Sequence, residues 1–251
     1  MENNTATLAG KTALITGAAR RIGAAVATHL HGCGMNVALH YHQSGTAAEA
    51  LRDLLQLQRP GSVILVRGDI RDTTVLQDIV EAVVQPWGRL DALINNASTF
   101  YPTIVGETTP QQWDDLMGTN LRAPFFLAQA ARPHLAASRG NIVNITDIHA
   151  WRPLRAHTVY CTAKAGLVML TRSLARELGP EIRVNAVAPG AILWPEQGLA
   201  ETTRARIIER TPLKRAGDPE DIARAVRYLI AEAGYVTGHV LPVDGGRSVG
   251  W

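Results

Sequence analysis

Short runs of aliphatic and β-branched residues recur along the chain. Each is followed by a longer stretch in which apolar positions return every three or four residues. TALIT (12–16), NVALHY (36–41), SVILV (62–66), DALIN (91–95), NIVNIT (141–146), IRVNAV (182–187) and HVLPV (239–243) have the length of strands. Most are apolar throughout rather than alternating, which is the pattern of strands covered on both faces of a parallel sheet. Helical periodicity runs over 22–32, 46–58, 72–85, 111–137, 158–178 and 219–232. This alternation predicts an α/β, single-domain Rossmann-type fold, a doubly wound parallel sheet with helices on both faces. No linker rich in Gly, Pro or Ser and no internal repeat divides the 251 residues. Only the stretch 190–210, GAILWPEQGLAETTRARIIER, breaks the rhythm. It predicts a loop and helix covering a site outside the strand ends, where open α/β sheets bind ligands.

Composition narrows the class. Hydrophobic residues make up 46% and charged residues 19%, as in a folded globular chain. The 25 Lys and Arg against 22 Asp and Glu leave a net charge of +3, and the basic residues are scattered. That balance suits a small anionic ligand better than nucleic acid, so no nucleic-acid partner is expected. Cys33 and Cys161 lack metal-ligand spacing, and reduced thiols with no metal site are expected. The opening MENNTATLAG has neither the basic nor the apolar region of a secretory signal, and no run approaches a membrane span. A cytoplasmic protein without membrane contact is the expectation.

The first candidate chemistry is TALITGAARRIGAAVATHL, read as a strand, a tight turn and a helix. Gly17 allows the turn and Gly23 close packing of helix on sheet, while Arg21 stands where a middle Gly is expected. A helix N-terminus offers free N–H groups and a positive dipole to a pyrophosphate. An NAD-selective site would carry an acid about twenty residues further on, for the ribose 2′-hydroxyl. Here His40, Tyr41, His42, Gln43 and Ser44 contain none, and Arg20 is in the neighbouring turn. A 2′-phosphate is favoured and NADP(H) is expected; a solvated turn that happens to lack acids is the alternative.

In order along nearly the whole chain, several motifs resemble the short-chain dehydrogenase/reductase family. They are TGAARRIG, GDI with Asp69 and Ile70, NNAS with Asn96, Ala97 and Ser98, Asn120 in MGTNLRAPF, YCTAK, VAPG at 187–190 and VDGG at 243–246. The resemblance implies that Gly17, Arg20, Arg21 and Ile22 hold the pyrophosphate side of NADPH, and Asp69 and Ile70 the adenine side. It implies that Asn96, Ala97 and Ser98 line the cofactor groove, that Pro189 and Gly190 face the nicotinamide, and that Asn120 is catalytic. Within the family the closest resemblance is to pteridine reductases, including bacterial dihydromonapterin and dihydrofolate reductase relatives. Arg21, HYHQS, NNASTFYPT and Asp147 carry it. Those proteins typically show HYH-R-S; Gln43 replaces the Arg here, while His40 and Ser44 remain to meet a 2′-phosphate. The family also implies a homotetramer, with the helices at 111–137 and 158–178 as packing faces.

Tyr160 and Lys164 are four apart on a predicted helix and share one face. A free Tyr titrates near pH ~10, and a nearby ammonium is expected to lower that value and poise the phenol as a general acid. Lys164 would also hold the nicotinamide ribose, with Asn120 supporting it through water. Family members that reduce ketones carry Ser thirteen residues before the Tyr. That position, 160 − 13 = 147, is Asp. A carboxylate suits protonation of nitrogen in a C=N bond better than hydrogen bonding to a carbonyl oxygen. Asp147 and Tyr160 are therefore expected to relay a proton to a pterin while NADPH delivers hydride. Phe100 is placed to stack on the heterocycle, with an ordinary core aromatic as its alternative. Arg21 and Ser98 are expected at the polar edge of the substrate, and Trp194 above it. No histidine pair has persuasive ligand spacing, so His157 and the others are read as core or surface. The expected activity is NADPH-dependent pteridine reduction of a dihydropterin or dihydrofolate. A 3-oxoacyl-thioester type carbonyl reductase and a non-catalytic NADPH sensor are the alternatives.

Overall fold

The computed structural model describes residues 8–194, 198 and 200–249. Its strands are β1 (Thr12–Ile15), β2 (Asn36–Tyr41), β3 (Val63–Arg67), β4 (Ala92–Asn95), β5 (Asn141–Ile145), β6 (Arg183–Pro189) and β7 (Val240–Val243). They form one seven-stranded sheet in the order β3-β2-β1-β4-β5-β6-β7. Every neighbouring pair is parallel, so each connection must cross over. The crossovers hold α1 (Arg21–Gly32), α2 (Gly45–Gln58), α3 (Leu76–Val84), α4 (Pro110–Met117), α5 (Ala123–Ser138), α6 (Thr158–Leu178), α7 (Glu201–Glu209) and α8 (Pro219–Ala231).

The all-apolar strands are explained by two cores. Ala13 and Ile15 of β1 face Val26 and Leu30 of α1, Leu55 of α2 and Val226 of α8. Leu14, between them, points to the other side, toward Val80 of α3, Leu127 of α5 and Leu174 of α6. Side chains alternate along a strand, so an apolar residue at every position feeds both layers. Leu14, Ile15, Leu93 and Ile94 are fully buried, each burial stabilising by roughly 1.5–3 kcal/mol. Chain order reverses direction between β1 and β4, which opens a crevice at their C-terminal ends.

The helical pattern over 111–137 proves to be two helices joined by one wide turn. α4 starts with a Thr109–Gln112 capping box and Pro110, then gives way to a π-helical turn over Gly118–Arg122. The Ala123 N–H reaches back to the Gly118 carbonyl, five residues earlier. Pro124 supplies the reason, since it has no N–H to donate to the Asn120 carbonyl four residues before it. The stretch 72–85 likewise begins as a short 3-10 turn, capped by Asp72, before α3. Among the described residues, no helix is long and apolar enough to cross a membrane.

Candidate active site

The crevice begins at the turn after β1. The Thr16 N–H donates to the Ile94 carbonyl at 3.0 Å, and the Thr16 hydroxyl accepts from the Asn96 and Ala97 N–H groups. Asn96 returns its amide to the carbonyls of Thr16 and Gly17 at 2.8 and 3.0 Å. This lacing leaves no room for side chains. A β-carbon on Gly17 would lie 2.9 Å from Ala97 Cα, and one on Gly23 would lie 2.3 Å from the Gly17 carbonyl oxygen. α1 starts with no side-chain cap and no acid in its first turn. Bare backbone, free N–H groups and the helix dipole fit a pyrophosphate.

Arg21 occupies the middle-glycine position at φ +54°, the left-handed region that favours glycine. Its guanidinium does not fold onto the turn; it donates to the Leu193 and Trp194 carbonyls at 3.4 and 3.3 Å. Trp194 is half-buried beneath the Arg204 guanidinium, 5.6 Å from its ring centroid, and ties the start of the 190–210 segment to the turn. Arg20 and His42 are exposed, and Ser44 is half-buried, on the rim between β1 and β2. Tyr41 packs its ring toward Gly45, at the start of α2. The expectation that His40 meets a phosphate directly does not hold. Its ring is 2% exposed, with Nδ1 turned to the Gly17 N–H at 3.4 Å, so it braces the turn from below. Burial pushes its pKa down to about 4. Asp69 is held by Arg71, whose guanidinium lowers the carboxyl to about 2, and Ile70 beside it is buried.

The reacting groups gather past the ends of β4 and β5 and on the first turns of α6. The Tyr160 hydroxyl donates to Asp147 Oδ2 at 2.7 Å, and the His149 N–H donates to Oδ1 at 2.8 Å. Both carboxylate oxygens are therefore acceptors already in use. Lys164, 2% exposed, donates to the Ile145 carbonyl at 3.0 Å, with Nζ 5.6 Å from the Tyr160 ring centroid. The π turn delivers Asn120. Its amide nitrogen donates to the Leu116 and Thr99 carbonyls, and its oxygen accepts from the Ser98 hydroxyl at 2.6 Å. Asn120 thus binds the 98–99 loop and makes no direct bond to Lys164.

The electrostatics reverse one expectation. Tyr160 is driven well above the ordinary phenol value, first by burial and then by the charge of Asp147 and the bond to it. Burial also pulls Lys164 down to about 8, against the attraction of Asp147. The ammonium is turned to a backbone carbonyl and is itself desolvated, so it does not stabilise the phenolate here. Tyr160 stays a protonated donor aimed at a carboxylate, an arrangement able to pass a proton along Asp147–Tyr160.

Phe100, 49% exposed, is edge-on to Tyr160 at 4.8 Å and stacked on His157 at 4.6 Å. It is a surface aromatic of the site rather than of the core. His157 belongs to the same cluster, against its reading as core or plain surface; its place three residues before Tyr160, at the N-cap of α6, is the available signal. Tyr101 was also missed. Its hydroxyl donates to Asp115 Oδ2 at 2.8 Å, burial and Asp115 raise it to about 12, and Arg71 links Asp115 to Asp69. That bond pins the loop bearing Phe100 onto α4. Pro189 and Gly190 end β6 against the C-terminal turn, where a β-carbon on Gly190 would lie 2.6 Å from Asp244 Cβ.

The family model described as enoyl-(acyl carrier protein) reductase matches residues 17–248. Pteridine reductase 1 of Leishmania tarentolae is 35% identical, over 94% of this chain and 96% of its own. The 3-oxoacyl-(acyl-carrier-protein) reductase FabG of Staphylococcus epidermidis is also 35% identical, over 94% and 98%. Glucose 1-dehydrogenase 2 of Bacillus subtilis is 32% identical, over 96% of each chain. Three differently named activities at similar identity leave the choice of substrate to the residues of the site.

Proposed function

The chain belongs to the short-chain dehydrogenase/reductase family of oxidoreductases, and on that premise we propose that it is an NADPH-dependent pteridine reductase, reducing a C=N bond of a dihydropterin or dihydrofolate. The observation that carries this is the 2.7 Å bond from the Tyr160 hydroxyl to Asp147. A ketone needs a donor at its oxygen, where negative charge develops, and a carboxylate beside that oxygen opposes the reaction. Nitrogen, by contrast, must gain a proton.

When bound, NADPH supplies the hydride. The electron pair displaced onto nitrogen takes up a proton from the Tyr160–Asp147 pair, which is restored from water. The raised pKa of Tyr160 keeps it a protonated phenol rather than a phenolate. Lys164, turned to the Ile145 carbonyl beside the phenol, holds the nicotinamide ribose. Asn120 keeps Ser98 and Thr99 fixed beside them. The N–H groups at Arg21 and Ile22 take the pyrophosphate, and Arg20, His42 and Ser44 the 2′-phosphate, next to Tyr41. Asp69 and Ile70 flank the adenine, while Pro189 and Gly190 flank the nicotinamide. Phe100 offers a face to the pterin, Ser98 and Arg21 contact its polar edge, and Trp194 stands above it.

NADPH oxidation by the purified protein tests this, with dihydrobiopterin, dihydromonapterin, dihydrofolate and simple ketones as acceptors. Turnover of pterins and not ketones is expected; turnover of ketones alone would overturn the reading. A 3-oxoacyl-thioester reductase is the second reading, favoured by the equal identity to FabG. We further propose a cytoplasmic homotetramer whose partner is a small molecule, neither nucleic acid nor membrane.

A further inference from the structure

The catalytic end of the sheet holds a cation that this chemistry does not use. β5, β6 and β7 lie side by side, and past their C-terminal ends come Asp147, Gly190 and Asp244. The Gly190 N–H donates to the Val243 carbonyl at 3.1 Å, which joins the ends of β6 and β7. Asp244 then folds the chain back, accepting from the Gly246 N–H at 2.9 Å and the Ser248 N–H at 2.7 Å. Gly245 and Gly246, at φ +64° and +84°, permit the reversal. Arg247 rides on this turn, half-buried.

Among the described residues, no side chain or carbonyl takes a hydrogen bond or ion pair from the Arg247 guanidinium. The charges that act on it are those of Asp147 and Asp244, and neither carboxylate reaches ion-pair distance. Both are already committed, Asp147 to Tyr160 and His149, Asp244 to the turn N–H groups. A partly desolvated guanidinium without a partner is costly, and its planar fork matches a carboxylate.

We propose that Arg247 is a substrate-specificity residue, taking a carboxylate carried on the side chain of the pterin reduced at Tyr160. The assignment rests on the pterin reading above and adds a class to it, acidic pterins over neutral ones.

The matched probes are 6-carboxypterin and 6-hydroxymethylpterin, which share a ring and differ in charge. Their binding to the NADPH-loaded protein is read from quenching of pterin fluorescence. The native protein is expected to bind the carboxylate about tenfold more tightly or better. Arg247→Gln should remove that preference, and Arg247→Lys, which keeps the charge without the fork, should retain part of it. NADPH affinity in the same titration reports that each variant is folded; if Arg247→Gln fails there, Arg247→Lys decides. No preference in the native protein, or one unaltered in the variants, overturns the assignment while both pterins still bind. Failure of both pterins to bind overturns the pterin reading itself, and the two results are distinct.

Discussion

The phenol of Tyr160 and the carboxylate of Asp147 share one proton-donating bond, and replacing either end changes what the site can reduce. In Asp147→Ser the phenol loses its charged neighbour and the site gains a hydroxyl suited to a carbonyl. Pterin turnover should fall about a hundredfold or more. Unchanged kcat toward dihydropterin would refute the relay. Lys164 gives a second expectation. With its pKa lowered to about 8 by burial, it loses its charge as pH rises through that value. The pH profile of kcat/KM should therefore fall on the alkaline side near 8, rather than near the ordinary lysine value of 10.5. His40 governs stability instead. Its folded pKa of about 4 is below the ordinary 6.5, so the unfolded chain binds the extra proton between those values. Its contribution is complete above pH 6.5 and is lost as pH falls toward 4, on the order of 3 kcal/mol. Acid unfolding monitored by circular dichroism should show that loss, and His40→Asn should flatten it.

At the scale of the element, the β1–α1 turn shows two glycine positions used in opposite ways. Gly23 cannot be enlarged, because its β-carbon would press on the Gly17 carbonyl at 2.3 Å. Gly23→Ala should destabilise by about 3 kcal/mol or more and abolish NADPH binding, as measured by thermal unfolding and titration. Arg21 holds a glycine-like φ of +54°, at a cost of about 1–2 kcal/mol, and spends its side chain on the Leu193 and Trp194 carbonyls. Arg21→Gly should leave Tm equal or higher while raising the substrate KM severalfold, since Leu193 and Trp194 lose their tether. A lower Tm would show that the tether contributes more than the strain removes. The π turn is the other instructive element. Apolar periodicity runs through 111–137 without a break, so hydrophobic pattern alone predicts one helix. The clue was Pro124, whose missing N–H widens the turn that carries Asn120.

On the scale of the molecule, α4, α5 and α6 each expose one large apolar side chain. Trp113, Phe125 and Met169 are 46, 40 and 58% exposed on these three helices. Exposed large apolar side chains on adjoining helices favour association. Light scattering should give a tetramer, and Phe125→Glu with Met169→Glu should lower the assembly state; a native monomer would contradict the proposal. The apolar stretches could not separate this role from sheet packing, because one helix often serves both.

The sequence by itself determined the architecture. Strands apolar at every position have to be covered on two sides, and Leu14 between Ala13 and Ile15 feeds opposite cores. It determined the spacing of Asp147, Tyr160 and Lys164 as well, because a helix and a strand end set those distances locally. Tertiary structure alone decided what these groups meet. Nothing local foretold that His40 would be buried under Gly17, that Lys164 would turn to the Ile145 carbonyl, or that Tyr160 would be pushed up rather than down. Nor did spacing bring Phe100, His157 and Arg247 to one end of the sheet, separated as they are along the chain. Burial and charge act through space, so pKa and partner choice depend on contacts between distant segments, and only the folded chain makes those contacts.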